Sequence, residues 1–286
     1  MEISQPNNAP RCDTSANLSY LVRDKKHDEE KPYRLRYDPG EDLPRTNCVT
    51  KPQKDIRIHD FRGQEQLFSL ENHGFTVAKL EPKLSLNEFY DSSKVKDVYY
   101  EQLKDLLKDL FRAKKVEILE HVIRKRYPGF PISTGEDYEH QLPTSIVHTD
   151  FTPEAALEAS ELVLHIDPAD YGRVQCLNLW KPLRGPLTDW PLALCDAQTV
   201  DKQRDFVASD VVTRTGFTEN FQCYYNPDHR WYYLNNQLAS EVIIFRQTDT
   251  EERYAIGVPH ASFYNPKARV DEKPRESIEA RAFVYY

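Results

Sequence analysis

Apolar and polar positions divide this chain into three stretches. Residues 1 to about 52 are polar and broken by prolines, with the charged run Arg23-Asp24-Lys25-Lys26-His27-Asp28-Glu29-Glu30-Lys31. That pattern predicts a solvated, partly irregular N-terminal arm, anchored if at all by Tyr20, Leu21, Tyr33, Leu35 and Tyr37. From Ile56 the pattern tightens. Ile56–Asp60 and Gly74–Leu80 read as strands, and Asp97 to about Ala113 repeats Val98, Leu103, Leu106, Leu107, Leu110 and Phe111 at helical spacing. Val116–Arg124 reads as a strand, with continuation of the helix as the alternative. Ile146–Asp150 is a short strand entering a turn. Pro153 to about Leu164 reads as a helix that Thr152 caps. Short strand-like blocks follow: Gln175–Trp180, Leu192–Cys195, Asp205–Val212, Gln222–Tyr225, Arg230–Leu234, Glu241–Arg246, Ala255–His260 and Ser277–Tyr285. Many short strands after a mixed portion predict a mainly β fold with packing helices (α+β), built on a double-stranded β-helix of the jelly-roll or cupin type. With no repeat and no linker, residues 53–286 read as one jelly-roll domain with a helical insert at about 97–113.

Composition narrows the function classes. The 17 Tyr, 13 Phe and 3 Trp suit an aromatic β core, and the 19 Pro suit many turns. A net charge of −8 without a basic aromatic patch argues against nucleic acid. No window is apolar enough for a membrane span, and the start Met1-Glu2-Ile3-Ser4-Gln5-Pro6 does not read as a signal peptide. Five scattered cysteines, never as CxxC, fit free thiols in a reducing cytoplasm.

The candidate chemistry is first visible near the end of the chain. Arg275, Ser277, Glu279 and Arg281 alternate along a strand-like run and so share a face. An arginine fork beside a hydroxyl suits a carboxylate, and His260, one strand earlier, suits a metal. His148-x-Asp150 completes the set. Two histidines and one carboxylate form the facial triad of non-haem Fe(II) oxygenases, which leaves positions open for cosubstrate and O2. HxD alone is a weak motif, and a second one stands at His165-x-Asp167. His165 ends a helix-like stretch before Pro168, where Asp167 suits a turn, whereas His148 ends an apolar strand. The order His148-x-Asp150, short strands, His260, Arg275-x-Ser277 is more telling than any member. Arg275 would pair with the far carboxylate of 2-oxoglutarate and Ser277 would hydrogen-bond it. The bland reading leaves Arg275 paired with Glu276 or Glu279 and His260 in the core.

Asn178-Leu179-Trp180-Lys181-Pro182-Leu183-x-Gly185-Pro186, then Asp189-x-Pro191-Leu192-Ala193-Leu194-Cys195-Asp196, resembles the signature of the cephem-methoxylase-associated family of fungi and bacteria. Fungal gibberellin desaturase and many hydroxylase/desaturases of secondary-metabolite clusters belong to that family. His229-Arg230-Trp231-Tyr232-Tyr233, Pro259-His260-x-x-Phe263 and Arg275-x-Ser277-Ile278-Glu279-x-Arg281 match as well, so the resemblance runs from about residue 53 to the end. It implies a 2-oxoglutarate-dependent oxygenase fold with His148, Asp150 and His260 on iron. The expected function is hydroxylation or desaturation of a small, largely apolar natural product, with Fe(II), 2-oxoglutarate and O2.

Other residues carry open readings. Asn178 or Lys181 could help bind the cosubstrate, while Trp180 suits the core. His229, Trp231, Tyr232 and Tyr233 could line a substrate pocket or pack as an aromatic strand, with either tyrosine facing the site. Arg124 and Arg126 could meet a polar substrate group or be solvated. A homo- or heterodimer with a homologous subunit is an open expectation, and two rival functions remain: a non-catalytic jelly-roll subunit that stabilises a homologous catalytic partner, and a zinc hydrolase on the same three ligands. The second leaves Arg275-x-Ser277 without a role.

Overall fold

The computed structural model describes residues 11–41, 43–131, 140–255 and 257–286. In chain order the strands are β1 (Thr14–Leu21), β2 (Tyr33–Leu35), β3 (Thr50–Asp60), β4 (Phe75–Lys79), β5 (Lys115–Lys125), β6 (His148–Thr149) and β7 (Val174–Pro182). They continue as β8 (Leu192–Cys195), β9 (Phe206–Val212), β10 (Phe217–Cys223), β11 (Trp231–Tyr233), β12 (Glu241–Asp249), β13 (His260–Ser262) and β14 (Glu276–Tyr285). Nine of them form one sheet in the order β1-β3-β11-β8-β13-β6-β10-β9-β2, and five form another in the order β4-β12-β7-β14-β5. The two curled sheets face each other as a jelly roll.

The five-stranded sheet is buried on both faces, which is why β7 and β12 carry no exposed position. Its outer face presents Leu177, Leu179, Val242, Ile244, Ile278, Ala280, Ala282 and Val284 to a helical layer containing Val95, Tyr99, Leu103 and Leu107. Successive side chains point to opposite faces, so the positions between those residues turn towards the nine-stranded sheet. They are Asn178 and Trp180 on β7, Phe245 on β12, and Ser277, Glu279 and Arg281 on β14. Polar side chains are thereby carried into the interior on strands whose other face is a conventional apolar core.

The helix runs Tyr100–Phe111 and is entered through Ser92–Lys94 and a π-helical turn, Val95–Tyr99. It begins earlier than the periodicity predicts because Asp91 accepts hydrogen bonds from the N–H groups of Ser93 and Lys94. The second helix, Pro153–Leu162, is capped as expected by Thr152, whose hydroxyl accepts from the N–H of Ala155 at 3.3 Å. Lys115–Lys125 is a strand, which settles the helix alternative. The expected strand Ala255–His260 lies instead at His260–Ser262, with residue 256 outside the described residues. Pro259 has no N–H to give the ladder, and only its carbonyl pairs, with the N–H of Cys195.

The expected solvated arm needs a correction over its described part; residues 1–10 lie outside it. β1 pairs antiparallel with β3, and its Ser19 also bonds across to the segment before β6. Ser19 N donates to Ser145 O at 2.8 Å and Val147 N to Ser19 O at 2.9 Å. Leu18 and Tyr20 thus enter an apolar cluster with Ile58, Val147, Trp231, Tyr233 and Phe263. Burial of alternate residues of β1 outweighs the polarity of those between them. The charged run contains a short exposed 3-10 turn, Lys25–Asp28. Its Lys31 pairs with Asp210 and Glu219.

Candidate metal centre

β6 and β13 are neighbours, and His148 and His260 stand opposite one another in their register. Opposed residues leave a sheet on the same side, and the two rings lie 4.6 Å apart between centroids. Asp150 follows at the turn, two residues past His148, with its backbone N–H held by Gln247 Oε1 at 2.7 Å. One ligand atom from each of His148, Asp150 and His260 falls within 4.8 Å of the others. Among the described residues no other His, Cys, Asp or Glu group comes together in this way.

The histidines are oriented for coordination. His148 Nδ1 is 2.8 Å from Ile146 O and His260 Nδ1 is 3.1 Å from Val258 O. A carbonyl can only accept, so each Nδ1 carries the proton and each Nε2 keeps its lone pair. The Nε2 atoms face Asp150, at 3.3 Å from Oδ1 for His148 and 3.8 Å from Oδ2 for His260. Burial, with the neighbouring His148, lowers the His260 pKa to about 3, which keeps its ring neutral. Burial works against the Asp150 carboxylate, but Arg281 and the two histidines outweigh it and hold the pKa well below the usual range.

The facing sheet fixes Asp150 from behind. Asn178 Nδ2 donates to Oδ2 at 2.6 Å and Arg281 Nη2 lies 3.3 Å from the same oxygen. Asn178 and Arg281 are themselves register partners on β7 and β14. Glu279, one inward position along, is buried, and its pKa is raised by burial and then by Asp150.

Arg275 lies just before β14 and is 1 % exposed. Its backbone N–H donates to Asp189 Oδ2 at 2.7 Å. Nη1 donates to Trp190 O and to Ser262 Oγ, both at 2.6 Å. The guanidinium carbon is 5.5 Å from the Trp180 ring. The Nε atom has no hydrogen-bond partner, and neither has Ser277 Oγ. Asn178 Oδ1, Gln247 Nε2 and Arg281 Nε are likewise buried and unpartnered. Buried polar atoms left without a partner cost free energy. Here they gather around the three ligands and Arg275, as expected where a metal and an anionic cosubstrate would supply the missing partners.

Several sequence expectations change at this point. Asn178, expected to bind the cosubstrate, also holds Asp150 through one N–H of its amide. Lys181 turns away from the site: Nζ donates to Ala239 O at 2.7 Å and lies over the Phe89 ring. Trp180 belongs to the core and also backs Arg275. Neither tyrosine of the aromatic strand meets the site. Tyr232 packs on His59, Phe68 and Phe75, and Tyr233 donates to Cys12 O. His229 is held by Asp205, 3.0 Å from Nε2. Arg124 and Arg126 are half-buried, bonded to Leu142 O and Asp189 respectively. The second HxD is a turn: His165 has φ 57° and Asp167 accepts from the N–H of Ala169. Ser262, Gln247 and the Arg281 contact with Asp150 were not foreseen. Ser262 was within reach of the pattern, two residues past His260 on one strand.

The family described as oxidoreductase/YMDC permease-like domain matches residues 18–285. The Fe(II)/2-oxoglutarate-dependent dioxygenase nvfI of Aspergillus novofumigatus is 29% identical over 276 residues, covering 94% of this chain and 96% of its own. The hydroxylase/desaturase efuI of Hormonema carpetanum is also 29% identical, covering 81% of this chain and 83% of that protein. Among solved structures, the iron and alpha-ketoglutarate-dependent endoperoxidase NvfI superposes with a TM-score of 0.82 at 27% identity, over 96% of this chain and 98% of that one.

Proposed function

This chain belongs to the oxidoreductase/YMDC permease-like domain family, and we propose that it is an Fe(II)/2-oxoglutarate-dependent oxygenase that hydroxylates or desaturates a small, largely apolar natural product. The observation that carries this reading is the convergence of His148, Asp150 and His260 within 4.8 Å, with both Nε2 atoms free to coordinate. The relatives, which are dioxygenases and hydroxylase/desaturases by name, support it.

His148 Nε2, an oxygen of Asp150 and His260 Nε2 would hold the iron. Arg275, through its unpartnered Nε side, and Ser277 would receive the far carboxylate of 2-oxoglutarate. With these bound, iron, 2-oxoglutarate and O2 supply the oxidation that removes hydrogen from the substrate as the cosubstrate is decarboxylated to succinate. The chain's own part is placement. Ile146 O and Val258 O fix the ring orientations, Asn178 and Arg281 fix the carboxylate, and Trp190 O and Ser262 Oγ fix the Arg275 fork. Asn178 acts on the metal ligand through one N–H of its amide, and the second N–H is still able to donate to a cosubstrate oxygen.

No described helix is long and apolar enough to cross a membrane, and Cys48, Cys176, Cys195 and Cys223 are free thiols. Both fit a cytoplasmic enzyme. Association with a second copy or a homologous subunit is compatible with this reading. A purely non-catalytic subunit is not favoured, because all three ligands and Arg275 are retained with their supporting contacts.

The test is succinate release from 2-oxoglutarate in air with Fe(II) and ascorbate, wild type against His148→Ala and His260→Ala. Succinate from wild type alone is the expected result. If there is none, and calorimetry finds no 2-oxoglutarate binding to the anaerobic Fe(II) protein, the reading fails.

A further inference from the structure

Outside the metal centre, Arg246 is a buried cation that has no ion-pair partner among the described residues and faces a cavity. Arg246 on β12 is 3 % exposed and its Nε has no hydrogen-bond partner. Nη1 donates to Leu70 O at 2.5 Å, and the guanidinium carbon lies 4.9 Å from the Tyr254 ring. Among the described residues no carboxylate lies within ion-pair distance of it. The nearby Asp249 is engaged by Arg173 and Gln175. A buried charge without a partner is costly. Burial lowers the Arg246 pKa only to about 10, so at neutral pH the group remains a cation.

Arg246 lines a cavity of about 190 Å³, and so does Lys202, whose Nζ donates to the carbonyls of Glu252 and Arg253 and has no ion-pair partner among the described residues. Asn72 and Gln198 also line it. Arg253, a third cation there, is paired with Glu251, and the exposed Glu71 at the rim is the one acid among the lining residues. Two close backbone approaches beside the cavity require glycine. A Cβ on Gly257 would lie 2.3 Å from Gln247 O, and one on Gly74 would lie 2.4 Å from Val258 Cγ2.

We propose that this cavity is a binding site for a small oxyanion of the phosphate class, free or as the monoester end of a larger molecule, with Arg246 and Lys202 as its charged donors. Asn72, Gln198 with Lys202, and Arg246 approach from three segments of the chain, and an oxyanion with three or more oxygens can meet donors from that many directions. The site lies apart from the three candidate iron ligands. Gln247, the next residue, instead reaches Asp150.

The experiment is calorimetric titration of the full chain at low ionic strength with inorganic phosphate and, separately, glycerol 3-phosphate. Saturable binding of either ligand, one per chain and tighter than about 1 mM, is expected. Lys202→Ala should weaken it at least fivefold and Arg246→Leu at least tenfold, with His148→Ala without effect. Lys202 is on the surface, so its variant serves if Arg246→Leu does not fold. Glycerol 3-phosphate binding at least as tightly as phosphate identifies a monoester site; phosphate binding alone identifies a free-ion site. Absence of saturable binding by either ligand overturns the proposal. So does binding that survives in Lys202→Ala, or that is lost in His148→Ala.

Discussion

Asn178 and Arg281 face each other across β7 and β14 and reach the same oxygen, Oδ2, of Asp150. Asp150 directly follows β6 of the opposite sheet, so this contact ties the two layers of the jelly roll together at the candidate metal centre. It also divides the carboxylate: Oδ2 is occupied by two donors from the protein, while Oδ1 lies 3.3 Å from His148 Nε2. A carboxylate clamped on one oxygen is prepared to offer the other to a metal.

Loss of that clamp should weaken metal binding before it affects anything else. Asn178→Ala is expected to lower Fe(II) affinity about 10- to 100-fold, the usual range for partners that orient a metal ligand. Arg281→Met should do more, because it leaves a buried carboxylate without its principal counter-charge. Anaerobic titration with Fe(II), alongside circular dichroism to confirm the fold, measures both. Wild-type affinity in Asn178→Ala would mean that Arg281 alone positions Asp150.

Much of this centre was legible before any coordinates. His148, Asp150 and His260 follow from HxD at the end of an apolar strand with a later histidine, and the shared face of Arg275, Ser277, Glu279 and Arg281 follows from strand alternation. What alternation could not supply was which sheet faces which. Asn178 was therefore assigned to the cosubstrate alone, and Lys181 was kept as a candidate although it lies an odd number of positions from Asn178. The N-terminal arm was misjudged for a related reason. Its polar composition was visible, but the apolar cluster that receives Leu18 and Tyr20 is assembled from residues as far apart along the chain as Ile58, Val147, Cys195, Trp231 and Phe263.

Arg275 should govern cosubstrate affinity independently of iron. Arg275→Lys keeps a charge but loses the planar fork, and is expected to weaken 2-oxoglutarate binding about tenfold or more. Ser277→Ala removes one hydrogen bond, worth about 1 kcal/mol or roughly fivefold in affinity. Calorimetry on the anaerobic Fe(II) protein gives both values, and Fe(II) affinity should be unchanged in Ser277→Ala. A lowered Fe(II) affinity in that variant would contradict the assignment of Ser277 to the cosubstrate.

Lys181 gives a pH signature. Burial lowers its pKa from 10.5 to about 8. Between those values the unfolded chain holds more protons than the folded one, so stability rises with pH across that window. Below pH 8 the full cost of burying the cation is present. Lys181→Met should therefore stabilise the protein at pH 7, by about 1–3 kcal/mol, and the gain should shrink as pH rises from 8 towards 10.5. Urea unfolding at several pH values measures this, and 2-oxoglutarate affinity should not change. A loss of cosubstrate affinity would restore the role first considered for Lys181.

The first described strand should be indispensable to the fold although it lies far from the candidate iron ligands in sequence. β1 bonds to β3 on one side and, through Ser19, to Ser145 and Val147 on the other. The second contact immediately precedes His148, so β1 supports the strand that presents the first ligand. Leu18 is fully buried, and Leu18→Ala should cost about 2–5 kcal/mol, as large-to-small changes in packed cores do. Tyr20→Phe removes only the acceptor for Trp231 Nε1 and should cost about 1 kcal/mol. Deletion through Leu21 should leave a protein without a cooperative unfolding transition, whereas a mobile arm could be removed without loss. Thermal denaturation of the truncated chain separates the two. A sharp transition near the wild-type temperature would show that β1 decorates the sheet and does not close it.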